Sequence, residues 1–124
     1  MKPQFDSDKP IYLQIAESIE DDILQQTVAE EDKVLSTNQL ATIYRINPAT
    51  AAKGLNMLTS EGILYKKRGI GMFVATGAVA KIRSKRKKAF YEKFVVPLLN
   101  EATNLDITPK ELLEMINDGA ENEQ

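Results

Sequence analysis

Residues 36–74 read STNQLATIYRINPATAAKGLNMLTSEGILYKKRGIGMFV, and this stretch decides the fold. Two helical patterns separated by a tight turn come first, and two short strand patterns joined by a basic, glycine-bracketed turn follow. Helix, turn, helix and hairpin in this order are typical of a winged helix-turn-helix. The predicted fold class is therefore mainly α with a small β-wing, in which C-terminal helices follow the winged helix-turn-helix.

Capping residues mark where both helices of this stretch begin. Ser36 and Gln39 have the spacing of a capping box, in which each side chain binds the backbone N–H of the other residue. Asn47 precedes Pro48, and proline fits the first helical position because the N–H that it lacks would have no helical partner there. Residues 45–47 are therefore the predicted turn.

The second helix, predicted for residues 48–60, has two chemically different faces. Its apolar side consists of Ala51, Leu55 and Leu58. Gly54 costs about 1 kcal/mol relative to alanine inside a helix, which indicates close backbone packing against a neighbouring helix. The other side carries residues of the kinds that contact base edges and phosphates in the major groove, namely Ala49, Thr50, Lys53 and Asn56. This pattern predicts a DNA recognition helix.

The predicted wing consists of strands at residues 63–68 and 72–75, joined by a turn whose glycines tolerate positive φ. Gly62 is expected to end the preceding helix in the left-handed conformation. The approach to the turn is basic, with Lys66, Lys67 and Arg68 in succession. A charged run is usually a solvated strand face, but a basic hairpin after a helix-turn-helix favours groove or phosphate contact.

Charge is distributed unevenly along the 124 residues, although the net charge is only −2. Residues 1–44 hold three Lys/Arg and nine Asp/Glu, residues 45–93 hold twelve and two, and residues 94–124 hold one and seven. The three segments therefore carry −6, +10 and −6. The basic block coincides with the recognition helix, the wing and the segment after it, as DNA binding requires.

In these motifs the chain resembles the GntR family of bacterial transcriptional regulators over about its first 75 residues. The matching motifs are residues 10–15 (PIYLQI), 36–41, 47–55 and 61–74. The resemblance implies DNA contact by Ser36, Asn38, Thr50, Lys53, Arg68 and Gly69. The family commonly has arginine at two positions where this chain has Asn38 and Pro48.

Motif, charge and resemblance together give a set of candidate DNA-binding residues on the two helices and the wing. Arg68 and Gly69 are the best candidates for minor-groove contact, because a bare glycine backbone fits that narrow groove. The full set is Ser36, Thr37, Asn38, Arg45, Asn47, Ala49, Thr50, Lys53, Lys67, Arg68, Gly69 and Gly71.

The segments before this motif predict supporting structure. Residues 1–9 form a polar lead-in with little predicted order. An isoleucine every four residues from Ile11 to Ile23 predicts an amphipathic first helix, with Glu20 among the acidic residues on its solvent side. Residues 33–35 are a candidate third strand for the wing sheet.

After residue 76 the chain is expected to change character, with a linker starting at Gly77. Residues 81–88, KIRSKRKK, carry six positive charges and fit either a solvated stalk or a further DNA contact. Two helices follow, the first kinked at Pro97 and the second stopped at Gly119. We therefore expect a DNA-binding domain at residues 1–76, a helical dimerisation tail at 77–119 and a disordered tail at 120–124.

About forty residues are too few for the C-terminal helices to bury their apolar faces alone, so we favour pairing with a second copy. A two-fold dimer would present two recognition helices to a palindromic operator. The candidate dimerisation residues are Phe90, Phe94, Leu98, Ala102, Leu112, Leu113 and Ile116. A short two-helix tail also resembles the YtrA-like subfamily of the GntR family, which implies a homodimer and a repressor.

The composition makes other classes weak. Without cysteine or histidine the chain lacks thiolate ligands and the commonest general base, so we expect no enzyme activity, no metal site and no cofactor. No apolar run is long enough to span a membrane and residues 1–8 lack a signal-peptide pattern, so a cytoplasmic location is expected. The alternative function is a winged helix for protein–protein contact, and the sequence identifies no effector ligand.

Overall fold

The computed structural model describes residues 5–123 and confirms a mainly helical fold with a small antiparallel wing. Its elements are α1 (Ile11–Leu24), α2 (Thr37–Tyr44), α3 (Pro48–Ser60), β1 (Leu64–Lys67), β2 (Gly71–Val74), α4 (Ala78–Phe90), a π-helical turn (Tyr91–Val95), α5 (Val96–Asn104) and α6 (Pro109–Asn122). The chain forms two compact units, one extending to Ser84 and the other starting at Lys85. No helix within residues 5–123 is both long and apolar enough to cross a membrane.

Helix α1 supplies one wall of the core of the first unit. Ile15, Ile19 and Ile23 are buried, as the four-residue spacing predicts. The prediction that Glu20 faces solvent is wrong, because this side chain is only 1% exposed. Glu20 lies one turn after Ala16, which is also buried, so the covered face of α1 is wider than the isoleucine stripe.

The lead-in before α1 is more ordered than the sequence predicts over residues 5–9, and residues 1–4 lie outside the described residues. The Gln14 side chain binds this segment in three places: its Oε1 accepts from Asp6 N at 2.7 Å, and its Nε2 donates to the carbonyls of Asp6 at 2.6 Å and Lys9 at 2.8 Å. The ring of Phe5 lies 5.5 Å from that of Tyr44. Polarity alone does not reveal these long-range partners.

The helix starts predicted for the central motif are confirmed. Ser36 Oγ accepts from Gln39 N at 3.1 Å, and Gln39 Oε1 accepts from Ser36 N at 2.8 Å. Asn47 Oδ1 accepts from the backbone N–H of Ala49 at 2.8 Å, with Pro48 in the first turn of α3. Arg45 ends α2 in the left-handed conformation at φ 54°. The turn is therefore fixed from both sides.

Close contact between α1 and α3 explains the glycine inside α3. A Cβ on Gly54 would lie 2.8 Å from the carbonyl oxygen of Tyr12 and 3.2 Å from Ile15 Cγ2. Such distances to backbone require the two helices to separate, so only glycine permits this approach. Leu55 and Leu58 then reach the core, where both are buried, as predicted.

The wing is a two-stranded sheet in which Leu64 pairs with Val74 and Lys67 with Gly71. The first strand is shorter than the predicted 63–68, because the chain already turns at Arg68, and the second begins and ends one residue before the predicted 72–75. Gly62 has φ +74° just after α3, as expected for the end of that helix. The third strand predicted at residues 33–35 is reduced to a single bridge between Lys33 and Phe73.

The predicted linker at Gly77 is wrong from its second residue, because α4 starts at Ala78. Ala78 and Ile82 are fully buried in the core of the first unit, so this unit extends beyond the predicted boundary at residue 76. Lys81 Nζ donates to the carbonyl of Gly62 at 3.2 Å. This lysine of the basic segment therefore serves the C-terminal end of α3, where a cation is electrostatically favoured.

Two adjacent carboxylates bind the start of α4 and the wing. Glu30 accepts from the backbone N–H groups of Gly77 at 2.9 Å and Val79 at 3.1 Å, which hold its pKa below the ordinary value. Glu31 accepts from the hydroxyl of Thr76 at 2.6 Å and from that of Tyr65, and these bonds lower its pKa as well.

In the second unit the helices differ from the prediction at two places. The helix is interrupted near Pro97 by the π-helical turn Tyr91–Val95, which precedes the proline. A wider turn before proline relieves the missing backbone hydrogen bond. The predicted stop at Gly119 is wrong, because α6 continues to Asn122, and the predicted disorder at residues 120–124 is therefore wrong for its helical part.

We expect Glu31→Gln to lower the melting temperature at pH 7 by a few degrees, because the neutral amide accepts hydrogen bonds less strongly. A carboxylate with a lowered folded-state pKa stabilises the fold above its ordinary pKa of 4.5, and this stability is lost as the pH falls through the lowered value. The difference between variant and wild type should therefore shrink as the pH falls below the ordinary value of 4.5.

Thermal unfolding followed by circular dichroism across this pH range measures the difference. Glu114→Gln, on the exposed side of α6, is the matched control and should show no difference at any pH. A deficit in Glu31→Gln that stays constant with pH would contradict the assigned role of this carboxylate.

Candidate nucleic-acid interface

A cleft of about 290 Å³ lies where α2, α3 and the wing meet. The start of α2 lines one side with Ser36, Thr37 and Asn38. Residues from α3, from the wing and from the segment before α2 complete it: Leu55, Asn56, Lys66, Ile70, Gly71, Met72, Lys33 and Val34. We call this the wing cleft. Four predicted site residues, Ser36, Thr37, Asn38 and Gly71, are thus brought together.

A second, shallower groove runs along the opposite side of α3, between this helix and the start of α1. It is lined by Tyr12, Ala49, Ala52, Lys53, Asn56, Met57 and Ser60. We call it the α1 groove. Asn56 lines both depressions, so the exposed face of α3 forms a ridge between them. Two predicted site residues, Ala49 and Lys53, lie on the α1-groove side.

The N-terminus of α3 is capped by a side chain, and the first residues of the helix are accessible to solvent. The carbonyl oxygen of the Asn47 side chain is used by the cap, and Ala49 beyond it is exposed, while Thr50 is half-buried. The N-terminus of a helix favours an anion because its backbone N–H groups and dipole point outward. This end of α3 can therefore receive a phosphate oxygen.

Both lysines predicted to bind DNA lie over aromatic rings. Lys53 Nζ is 4.0 Å from the centroid of the Tyr12 ring, and Lys67 Nζ is 4.3 Å from that of Phe73. An ammonium over a ring face is attracted by its quadrupole, and this contact leaves N–H donors for other partners. The rings thus restrict where these two cations can be.

The wing tip presents a cation and a bare backbone to solvent. Arg68 is exposed, and Gly69 has φ +78° with nothing within 4 Å of the position that a Cβ would occupy. The left-handed φ explains the glycine. Arg45, at the turn between α2 and α3, is also exposed, but it lines neither the wing cleft nor the α1 groove.

Two positions at this surface were not among the sequence-based site residues. Tyr12 lines the α1 groove although it belongs to α1, and Lys33 lines the wing cleft from the segment before α2. Tyr12 lies within the matching stretch at residues 10–15, but nothing in its spacing relates it to Lys53. Such proximity depends on how closely α1 and α3 approach, which the sequence pattern does not reveal.

The second unit exposes most of the predicted dimerisation residues. Phe90, Phe94, Leu98, Leu113 and Ile116 are between 43% and 61% exposed. The rings of Phe90 and Phe94 lie 5.4 Å apart. Ala102 on α5 and Leu112 on α6 are instead buried. The five exposed residues form what we call the apolar face.

Comparison with known sequences gives a family and relatives of similar length. The family described as bacterial regulatory proteins, gntR family, matches residues 11–74. The chain is 33% identical over 118 residues to the HTH-type transcriptional regulator YhcF of Bacillus subtilis, covering 94% of each chain. It is 36% identical over 72 residues to the HTH-type transcriptional repressor YtrA of the same organism, which covers 58% of this chain and 55% of YtrA.

Solved structures give the same result for the fold. A transcriptional regulator of the GntR family from Bacteroides thetaiotaomicron superposes with a TM-score of 0.80 at 36% identity, covering 92% of this chain and 99% of that one. AraR(DBD) in complex with operator ORX1 superposes with a TM-score of 0.54 at 31% identity, covering 60% of this chain and 90% of that one. The likeness to the first of these structures therefore includes the C-terminal helices.

Proposed function

Because this chain belongs to the gntR family of bacterial regulatory proteins and is thus a DNA-binding transcriptional regulator, we propose that it is a repressor that binds a palindromic operator as a homodimer. In this proposal α3 enters the major groove and the wing tip reaches the adjacent minor groove. The protein contacts of one half-site come from one copy of the chain. The name of YtrA, a repressor, supports the direction of regulation.

The meeting of α2, α3 and the wing around the wing cleft is the observation that supports this proposal most strongly. The start of α2 and the exposed side of α3 present short polar side chains there, and Lys66 of the wing adds a cation. Ser36 and Asn38 at the start of α2 suit phosphate contacts, whereas Asn56 and Lys53 on α3 suit base edges or phosphates. The AraR(DBD) complex with operator DNA is similar in fold at 31% identity and supports DNA binding by this domain.

Local charge makes this surface attractive to DNA although the whole chain is acidic. Lys53, Lys67 and Arg68 are exposed and belong to the segment of residues 45–93, which carries +10. Contact with phosphates releases counterions, so affinity should fall steeply with salt. For six to ten contacts, binding weakens about 10³- to 10⁵-fold between about 50 and 200 mM salt.

The apolar face of the second unit supports pairing with a second copy. Five large apolar side chains, two of them phenylalanines, are exposed together with Leu99 and Met115. Exposed apolar patches of this kind mark interaction sites. A two-fold pair would place two recognition helices at half-sites about 34 Å apart, one turn of the duplex.

We expect Lys53→Ala and Arg68→Ala each to weaken operator binding by about 1–3 kcal/mol, roughly 5- to 150-fold, because each removes a cation from a groove contact. The operator is obtained by selecting bound duplexes from a random DNA pool with the wild-type chain. Affinity is then measured by fluorescence anisotropy at several salt concentrations. Circular dichroism checks that both variants remain folded.

Lys110→Ala is the matched control, because it removes an exposed cation of the second unit from α6. It should bind the operator like the wild type. Unchanged affinity in both Lys53→Ala and Arg68→Ala would overturn the assignment of the DNA surface, as would an equal loss in the control.

We expect Phe94→Asp to give monomers, because a carboxylate buried at a two-fold interface would face its own copy. Light scattering measures the mass, and operator affinity should fall with the loss of the second half-site contact. Leu105→Asp is the matched control: Leu105 is 62% exposed but lies outside the apolar face, so this variant should stay dimeric. A dimeric Phe94→Asp protein would place the interface elsewhere.

A further inference from the structure

The Lys53 ammonium, which lines the α1 groove, contacts an aromatic ring on a different helix. Lys53 Nζ lies 4.0 Å from the centroid of the Tyr12 ring, well inside the range of cation–π attraction. Tyr12 is half-buried on the first turns of α1, and Lys53 is exposed on α3. The Tyr12 side chain is therefore partly held by packing, whereas the exposed Lys53 side chain extends from α3 towards the ring.

Backbone geometry fixes the distance over which this contact forms. Gly54, the residue after Lys53, faces the carbonyl oxygen of Tyr12 so closely that a Cβ would lie 2.8 Å from it. The absence of a side chain at Gly54 thus brings the backbone of Tyr12 directly against α3. Because the two contacts involve adjacent residues of α3 and the same residue of α1, the ring is held beside Lys53 independently of the lysine.

We propose that Tyr12 is a positioning residue that holds the Lys53 ammonium on the exposed face of α3 in readiness for DNA. This inference rests on the proposed function, in which Lys53 contacts the duplex. A lysine side chain has four rotatable bonds, and ordering it on binding costs free energy that a pre-formed contact reduces. The ring occupies one side of the ammonium, so its remaining N–H groups can still donate to a phosphate or a base.

The experiment is a double-mutant cycle on the full chain with the duplex selected by the wild type. We expect Tyr12→Leu to weaken binding about two- to fivefold, the range of a cation–π contact at an exposed site. Tyr12→Phe keeps the ring face and should bind like the wild type. In a Lys53→Ala background, Tyr12→Leu should cause no further loss, because there is no cation left to position.

Several results would overturn this inference. Tyr12→Leu could leave affinity unchanged or increase it, and an increase would mean that the ring holds Lys53 away from DNA. Equal losses in Tyr12→Phe and Tyr12→Leu, or a loss that persists in the Lys53→Ala background, would mean that Tyr12 contacts DNA itself. In each of these cases Lys53→Ala alone still weakens binding, so the proposed function survives.

A different result would contradict the proposed function itself, namely that Lys53→Ala and Arg68→Ala both bind the duplex as tightly as the wild type. Melting temperatures of the Tyr12 variants show whether a loss of affinity comes from unfolding. Affinities are therefore compared per amount of folded protein. Tyr12→Phe retains the packing of the ring, so a loss of affinity in this variant would contradict the inference even if Tyr12→Leu unfolds.

Discussion

The contact of α1 with α3 at Gly54 is the constraint on which the candidate interface depends. Its side-chain-free backbone lets α1 approach until the Tyr12 carbonyl lies where a Cβ would clash. Ile15, Leu55 and Leu58 then fill the core below this contact, and Lys53 remains on the outer face. Burial of one side of α3 thus determines which side chains stay available, since a helix cannot turn one face inward without turning the opposite face outward.

The sequence predicts local structure well where the signal itself is local. The capping box at Ser36, the turn at Arg45 and the φ of Gly62 follow from residues within one helical turn. The sequence predicts less where the partner is distant: the ordering of residues 5–9 by Gln14 and the burial of Glu20 have no counterpart in spacing. Helix α6 continues past Gly119, since a glycine in a helix costs only about 1 kcal/mol relative to alanine, and the capping box of Thr108 and Glu111 stabilises its start.

The candidate site was predictable in its parts but not in its arrangement. Helix polarity and the basic run identify Lys53, Arg68 and Gly69 as DNA-facing candidates, yet the wing cleft arises only when α2 and the hairpin pack on α3. The net charge of −2 does not reveal the DNA-facing surface, because the acidic ends of the chain offset its basic middle segment. Lys81 is the clearest case, since a residue of the basic run turns out to bind the end of α3.

Hydrogen–deuterium exchange of the full chain, with and without the selected duplex, tests the central claim most directly. If the outer face of α3 and the wing form the DNA surface, the duplex should slow amide exchange at residues 47–56 and 66–71. Exchange in α6 should stay the same, because the proposal gives this helix no part in DNA contact. Protection confined to α5 and α6, or none at residues 47–56, would contradict the account.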